Sequence, residues 1–354
     1  MPRPADLKLD RILIVMMSAV GDAVHVLPLV NAIKRAHPAS RITWVLQPGP
    51  ANMVRGHPSV DEVIGFSRSK GWAAFGDVRR ELAKREFDLA INLQVYFKAG
   101  IVTAMARAKY KLGFDVRRAR DANWLFTNLR IPPHAPQHVQ DQYFEFLDYL
   151  GIPAEPVTWD LGPWEHERPA QRAFFAPIER PVASIVVGTS KAEKDWPPER
   201  WAEVVDALYF DHGLQPVLVG GRHPRELAAQ DVIFARAKHR PLTTLGVPLR
   251  DLVWILDGSA LVLSPDTGPL HMSIALDRPT IALMGYTNPK RVGPYRRSHD
   301  LLIDRYGDPG EDYPVSAEYR HGRMERITVA DVLEKVGVWK ERYAAGSAAL
   351  DARR

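Results

Sequence analysis

Short apolar runs alternate with amphipathic stretches along this chain, and the whole alternation occurs twice, once on each side of a proline-rich middle. Residues 11–17 (RILIVMM) have the length and composition of a strand buried on both faces. A turn at 18–22 follows, then Val26, Leu29, Val30 and Ile33 at the i, i+3, i+4, i+7 spacing of one helix face. Pro28 falls within that stretch, so the helix either starts near Leu27 or tolerates a local kink. Further strands are expected at 42–46, 60–64, 87–93 and 109–114, with a charged helix over 78–85.

Residues 131–181 are rich in proline, interrupted by one amphipathic helix at about 140–150, and 151–181 is the best linker candidate. The alternation then restarts, with strands at 182–187, 217–220, 261–264 and 280–284 and a helix over 199–209. Thr328 and Asp331 have capping-box spacing ahead of Val329, Val332, Leu333 and Val336, which predicts a last helix before a frayed tail at 344–354. Such a pattern predicts an α/β protein of two Rossmann-like, doubly wound parallel-sheet domains facing each other across a cleft. The expected divisions are 1–165, 166–330, and a C-terminal helix and tail over 331–354.

A chain of 354 residues suits two such domains. No apolar run approaches the ~20 residues needed to cross a bilayer. Residues 1–11 lack the apolar core of a secretory signal, and Cys is absent, so a cytoplasmic protein is the plain expectation. The net charge is +5. Basic residues bunch at Arg79, Arg80, Lys84, Arg85, Lys98, Arg107, Lys109, Lys111, Arg117, Arg118 and Arg120. They are not interleaved with aromatics, which argues against nucleic acid and fits an anionic lipid or small acidic substrate.

The first turn, Ser18-Ala19-Val20-Gly21-Asp22, lacks the G-x-G-x-x-G of a dinucleotide fingerprint, and its Asp would repel a pyrophosphate. Asp22 is either a helix N-cap or a carboxylate at the carboxyl end of a parallel strand, placed to act as a general base. His25, one turn on, is the rival base. In the second half, Gly188-Thr189-Ser190-Lys191 with Lys194 combines glycine, hydroxyls and lysines before a helix, the parts needed to hold phosphate oxygens. Ser264-Pro265-Asp266-Thr267-Gly268-Pro269-Leu270-His271 offers a helix N-terminus to an anion, with Asp266 suited to capping or to sugar hydroxyls. His271 lies beside that cradle, where packing and function are about equally plausible roles. Glu226 follows the Gly220-Gly221 turn as a candidate ribose partner.

With these residues in view, the sequence resembles glycosyltransferase family 9, the lipopolysaccharide heptosyltransferases, and within it the heptosyltransferase I type. The 18–28 stretch resembles the family's S-x-x-G-D-x-x-x-x-x-P signature. Thr189-Ser190 with Lys194, Trp196 and Pro197 resembles its phosphate-binding segment. Leu245-Gly246, Leu249-Arg250-Asp251-Leu252, Asp266-Thr267-Gly268-Pro269 and His271 match the downstream block, and Asn92-Leu93-Gln94 with Lys98 matches the acceptor half more loosely. The resemblance implies a GT-B fold, an inverting mechanism, ADP-heptose as donor and a Kdo-lipid A acceptor. It implies Asp22 as base, with Thr189, Ser190 and Lys194 on the pyrophosphate. Thr267 and Gly268 would add backbone donors, Asp266 would hold the donor sugar, and His271 would support its loop. His25, Lys98, Arg117 and Arg120 are the expected acceptor contacts. Asn92 stands where the subfamily often has an acid, and Asp121 where Glu is expected, so the acceptor side departs most.

No Asp-x-Asp pair lies near the cradle, which predicts metal independence, and no cofactor is expected. Membrane contact would be electrostatic and peripheral, at the inner face of the inner membrane. The competing readings are a family 9 transferase using another nucleotide sugar or acceptor, a GT-B-fold sugar-nucleotide epimerase, an NAD-linked oxidoreductase and a non-catalytic nucleotide-sugar sensor.

Overall fold

The computed structural model describes residues 7–344; the expectations for the first six residues and for the tail from 345 onward lie outside the described residues. The chain divides between Asp160 and Leu161 into two compact units. Residues 161–181 of the expected 151–181 linker lie in the second unit, which starts at Leu161 where 166 was expected. Gln171 donates from Nε2 to the Trp254 carbonyl (2.9 Å), and Arg168 pairs with Asp257 (3.0 Å). Arg250 bonds Glu167 at 2.5 Å and lies 3.5 Å over the Trp164 ring. Proline was a poor guide here because Pro169 sits in the first turn of a helix, Arg168–Phe175, where no backbone N–H is needed.

Unit 1 has six parallel strands: β1 (Arg11–Val15), β2 (Arg41–Leu46), β3 (Glu62–Gly65), β4 (Phe87–Asn92), β5 (Ala108–Gly113) and β6 (Leu129–Arg130). Their helices are α1 (Val20–Ala36), α2 (Pro48–Val54), α3 (Ala73–Ala83), α4 (Phe97–Met105) and α5 (Val139–Leu150). Strand order is β3-β2-β1-β4-β5-β6. Leu13, Val15, Ala90, Val78, Leu82 and Val102 join in a core between the sheet and α3 and α4. Pro28 does not interrupt α1, which runs through it with Ala23 to Ile33 all buried. Packing along that whole stretch offsets the hydrogen bond that proline cannot donate.

Unit 2 repeats the plan. Its strands are β7 (Val182–Val186), β8 (Gln215–Val219), β9 (Leu242–Thr243), β10 (Leu261–Pro265), β11 (Thr280–Met284) and β12 (Leu302–Asp304). Its helices are α6 (Arg168–Phe175), α7 (Pro198–Phe210), α8 (Pro224–Arg236), α9 (Leu249–Asp257), α10 (Gly268–Ala275), α11 (Pro289–Val292) and α12 (Val329–Arg342). The order β12-β11-β10-β7-β8-β9 is that of unit 1 counted from its own first strand. The capping box expected at α12 forms: Thr328 Oγ1 accepts from the Asp331 N–H (3.1 Å) and Asp331 from the Thr328 N–H (2.8 Å).

Strand order locates the sites. In a doubly wound sheet, the strands on either side of the point where the order reverses send their following loops apart, and the crevice left at their carboxyl ends receives ligand. In unit 1 that point lies between β1 and β4, in unit 2 between β7 and β10. No helix among the described residues is long and apolar enough to cross a membrane.

Candidate functional site

The unit 1 switch point gathers the 16–22 and 93–97 loops, because Val15 and Asn92 are register partners and the two strands end level. Asp22 is not the N-cap. Ala19 is, and Asp22 sits at the third helical position of α1, where Oδ2 accepts from the Ala19 N–H (2.8 Å). This is the returning half of a capping box. It leaves the half-buried carboxylate at the mouth of the crevice, near the positive end of the α1 dipole.

Gln94 fixes the turn that carries Asp22. Its Oε1 accepts from the Met17 N–H (3.0 Å) and its Nε2 donates to the Ser18 carbonyl (2.8 Å). One side chain thus holds both sides of the turn, from a loop 76 residues away. Replacing Gln94 by Leu removes both bonds, which are worth about 1–2 kcal/mol together. The expected result is a roughly tenfold fall in kcat, the rate equivalent of ~1.4 kcal/mol, with nucleotide affinity unchanged. Steady-state kinetics alongside calorimetry with ADP would check it, and a weakened nucleotide affinity would contradict a role confined to unit 1.

His25, expected as rival base or acceptor contact, is 5% exposed. Its Nδ1 lies 3.2 Å from Gln140 Oε1, and its carbonyl accepts from Gln140 Nε2 (2.8 Å). The ring therefore ties α1 to α5. Five of the eleven bunched basic residues are likewise engaged within the unit: Arg80 with Asp77, Lys84 with Glu81, Arg85 with Glu62, Arg107 with Glu86, and Arg118 with Asp115 and Glu145. Lys98, Arg117 and Arg120 remain exposed. The Arg120 N–H donates to the Val95 carbonyl (2.8 Å), and Asn123 Nδ2 to the Tyr96 carbonyl (2.7 Å), so the Arg120 loop folds onto the loop leading to Lys98.

In unit 2 the switch point joins the 188–195 loop to the 266–268 turn. Lys194 Nζ donates to Asp266 Oδ2 (2.5 Å) and to its carbonyl (3.2 Å). His271 Nε2 lies 3.4 Å from Asp266 Oδ1, and Thr287 Oγ1 donates to Oδ2 (2.6 Å). Thr287, just after β11, carries no sequence signal and was not foreseen. Burial alone would raise the Asp266 pKa, but the His271 hydrogen bond and the Lys194 charge outweigh it and hold the carboxyl well below its usual range. A depressed folded pKa contributes stability that is complete above the unfolded value of ~3.9 and is lost as pH falls below it. The stability advantage of the native chain over Asp266→Asn should therefore shrink as pH drops below about 4. Urea titrations at a series of pH values would show this, and an advantage growing in acid would refute it.

No side chain caps α10, whose N-cap Thr267 is extended, so the Gly268 end of the helix is open toward the crevice. Ser190, in the 188–195 loop, is exposed. Thr189 is engaged within its own loop. Its hydroxyl proton is shared between the Lys191 carbonyl (2.7 Å) and Asp195 Oδ1 (2.8 Å), and its N–H goes to Asp195 (2.7 Å). These bonds shape the loop, and Arg225 braces it through Asp195 (2.8 Å). Burial raises the Asp195 pKa against those hydrogen bonds.

Glu226 sits in the first turn of α8, its oxygens accepting from the N–H groups of Gly221 (2.8 Å) and His223 (2.9 Å). Glycine is required around it: a Cβ on Gly188 would lie 2.4 Å from Glu226 Cγ, and Gly220 has φ +153. Each carboxylate oxygen keeps lone-pair capacity for a further donor.

The model of glycosyltransferase family 9 (heptosyltransferase) matches residues 75–311. The lipopolysaccharide core heptosyltransferase OpsX of Haemophilus influenzae is 29% identical over 338 residues, covering 92% of this chain and 96% of that protein. A family 9 glycosyltransferase from Veillonella parvula superposes with a TM-score of 0.79 at 22% identity, over 94% of this chain and 98% of the other. The heptosyltransferase WaaC of E. coli, solved with ADP, superposes with a TM-score of 0.72 at 25% identity, over 95% and 99%.

Proposed function

We propose, from the premise that this chain belongs to glycosyltransferase family 9, that it transfers heptose from ADP-heptose to a Kdo-lipid A acceptor of the lipopolysaccharide inner core. The chain is a glycosyltransferase of GT-B fold, and what the proposal adds is the donor, the acceptor, the stereochemistry and the residues. The observation that carries it is the content of the two switch points: a carboxylate at the one in unit 1, and a lysine beside an open helix N-terminus at the one in unit 2. Those are the two halves of a direct displacement at an anomeric carbon. The relatives named as lipopolysaccharide heptosyltransferases support the sugar and the acceptor class.

In the proposed reaction, Asp22 takes the proton of the acceptor hydroxyl as its oxygen attacks the anomeric carbon. The bond from that carbon to the diphosphate breaks in the same step, so the configuration inverts and ADP departs with the bonding electron pair. Lys194, Ser190 and the Thr267–Gly268 backbone receive the charge that develops on the leaving diphosphate. Asp266, held by His271 and Thr287, accepts from donor sugar hydroxyls, and Glu226 from the ribose. Lys98, Arg117 and Arg120 meet the acidic acceptor, at the inner face of the inner membrane. No step of this chemistry calls for a metal or cofactor.

The test is mass spectrometry of Kdo-lipid A after incubation with the purified protein and ADP-heptose. A one-heptose gain is expected. No gain with ADP-heptose still bound would refute the acceptor, and no gain without binding would refute the donor.

A further inference from the structure

Large apolar side chains do not lie at random on this surface. Of the eight most exposed in the described chain, five belong to one edge of unit 1: Trp72 (79%), Leu125 (61%), Tyr96 (53%), Val116 (51%) and Phe97 (43%). The architecture explains their convergence. Trp72 is the N-cap of α3 and Tyr96 of α4, so both helices begin at the carboxyl edge of the sheet, the edge that carries Asp22. The two helices pack side by side, and the 3-10 turn Asn123–Phe126, which bears Leu125, packs on α4. Phe126 meets Phe97 edge-on with ring centroids 5.4 Å apart, so the strip is continuous from α4 to that turn.

Exposed cations surround it: Arg68 and Lys70 ahead of Trp72, Lys98 after Phe97, and Arg117 and Arg120 beyond Val116. The acids on the same edge are Asp22, Asp77, paired with Lys70 at 2.8 Å, Asp115, paired with Arg118 at 2.5 Å, and Asp121. Trp and Tyr with scattered apolar side chains, ringed by Lys and Arg, match a bilayer interface, where aromatic rings settle at headgroup level and cations meet anionic lipid. Trp72 is 79% exposed and Leu125 61% exposed, and exposed apolar surface rimmed by polar residues marks a site of membrane or protein contact.

We propose that this edge of unit 1 is a membrane-docking surface for an anionic bilayer, inserting Trp72, Tyr96, Phe97 and Leu125 at the interface and presenting the Asp22 crevice to a lipid-anchored acceptor. The last clause rests on the transferase reading; the docking itself does not. Contact by insertion goes beyond the purely electrostatic adhesion expected from the charge alone.

The experiment is flotation of the full chain with vesicles of phosphatidylglycerol and phosphatidylethanolamine, containing neither donor nor acceptor, against phosphatidylcholine vesicles. The native chain should float with the anionic vesicles. The Trp72→Ser/Leu125→Ser variant, with its melting temperature confirmed as native-like, should partition at least tenfold less. Its activity on a deacylated, water-soluble acceptor should stay at the native level while its activity on vesicle-borne acceptor falls. Failure of the native chain to float would overturn the proposal. So would binding that salt abolishes and that the two substitutions leave unchanged, since that is electrostatic adhesion alone. Absence of transfer to the soluble acceptor would count against the transferase reading and leave the flotation result to stand by itself.

Discussion

The Asp22→Asn protein is expected to bind ADP-heptose as the native chain does and to turn over about 10²–10⁴-fold more slowly, the usual contribution of a general base. The geometry makes this substitution unusually clean. Asp22 has a local duty as well, accepting the Ala19 N–H at 2.8 Å, and an asparagine oxygen can keep that bond. The start of α1 should therefore survive, and the melting temperature should move by little. Nucleotide affinity should also hold, because the groups proposed for the donor belong to unit 2. Isothermal titration with ADP-heptose and single-turnover kinetics separate the outcomes. Retained turnover would remove Asp22 from the chemistry, and lost donor affinity would place it in the wrong half of the reaction. The Asp22→Ala protein adds a control: it drops the Ala19 bond too and should be less stable by the ~1 kcal/mol of one lost hydrogen bond.

Lys194→Met is the second large effect expected. It removes the cation proposed for the leaving diphosphate, and loss of one such electrostatic partner lowers kcat by about 10²–10³-fold. It also leaves Asp266 with a side chain only 9% exposed and without its ammonium partner. Breaking a buried pair from one side costs about 3–5 kcal/mol, and the low end applies because His271 and Thr287 still bond that carboxylate. Activity and stability can be told apart with the double variant Lys194→Met/Asp266→Asn. Removing both charges should recover much of the stability while turnover stays low. A double variant that regained turnover would mean that Lys194 serves only to neutralise Asp266.

How much of this was legible beforehand differs between residue types, for physical reasons. Asp22, Lys194, Asp266 and Gly268 could be placed at the carboxyl edge of a sheet because each follows an apolar run within a few residues, in the turn or at the helix start after it, and such turns lie at that edge whatever the strand order. Gln94 was visible only as part of a matching tripeptide. Its value comes from reaching the Met17 N–H and the Ser18 carbonyl across the sheet, a relation that exists only because β1 and β4 are neighbours. The basic cluster misled in the opposite direction. Counted along the chain it suggested a surface for an anionic partner, but Arg80 and Lys84 pair with carboxylates of their own helix, and Arg85, Arg107 and Arg118 each found one on a neighbouring element or turn. Which charges stay available is settled by packing.

The sequence by itself determined the class of fold, its duplication and the loops that carry chemistry, since hydrophobic period and local turn chemistry are properties of a few adjacent residues. Tertiary structure alone decided the strand order, and with it the two switch points that pair the 16–22 loop with 93–97 and the 188–195 loop with 266–268. It also buried His25 against Gln140, used the Thr189 hydroxyl within its own loop, and drew residues 161–181 into the second unit. The Thr189 contacts apart, which are local to the loop, these outcomes share one cause: each depends on a contact between residues far apart in the chain, and no local pattern of side chains encodes which distant partner will be there.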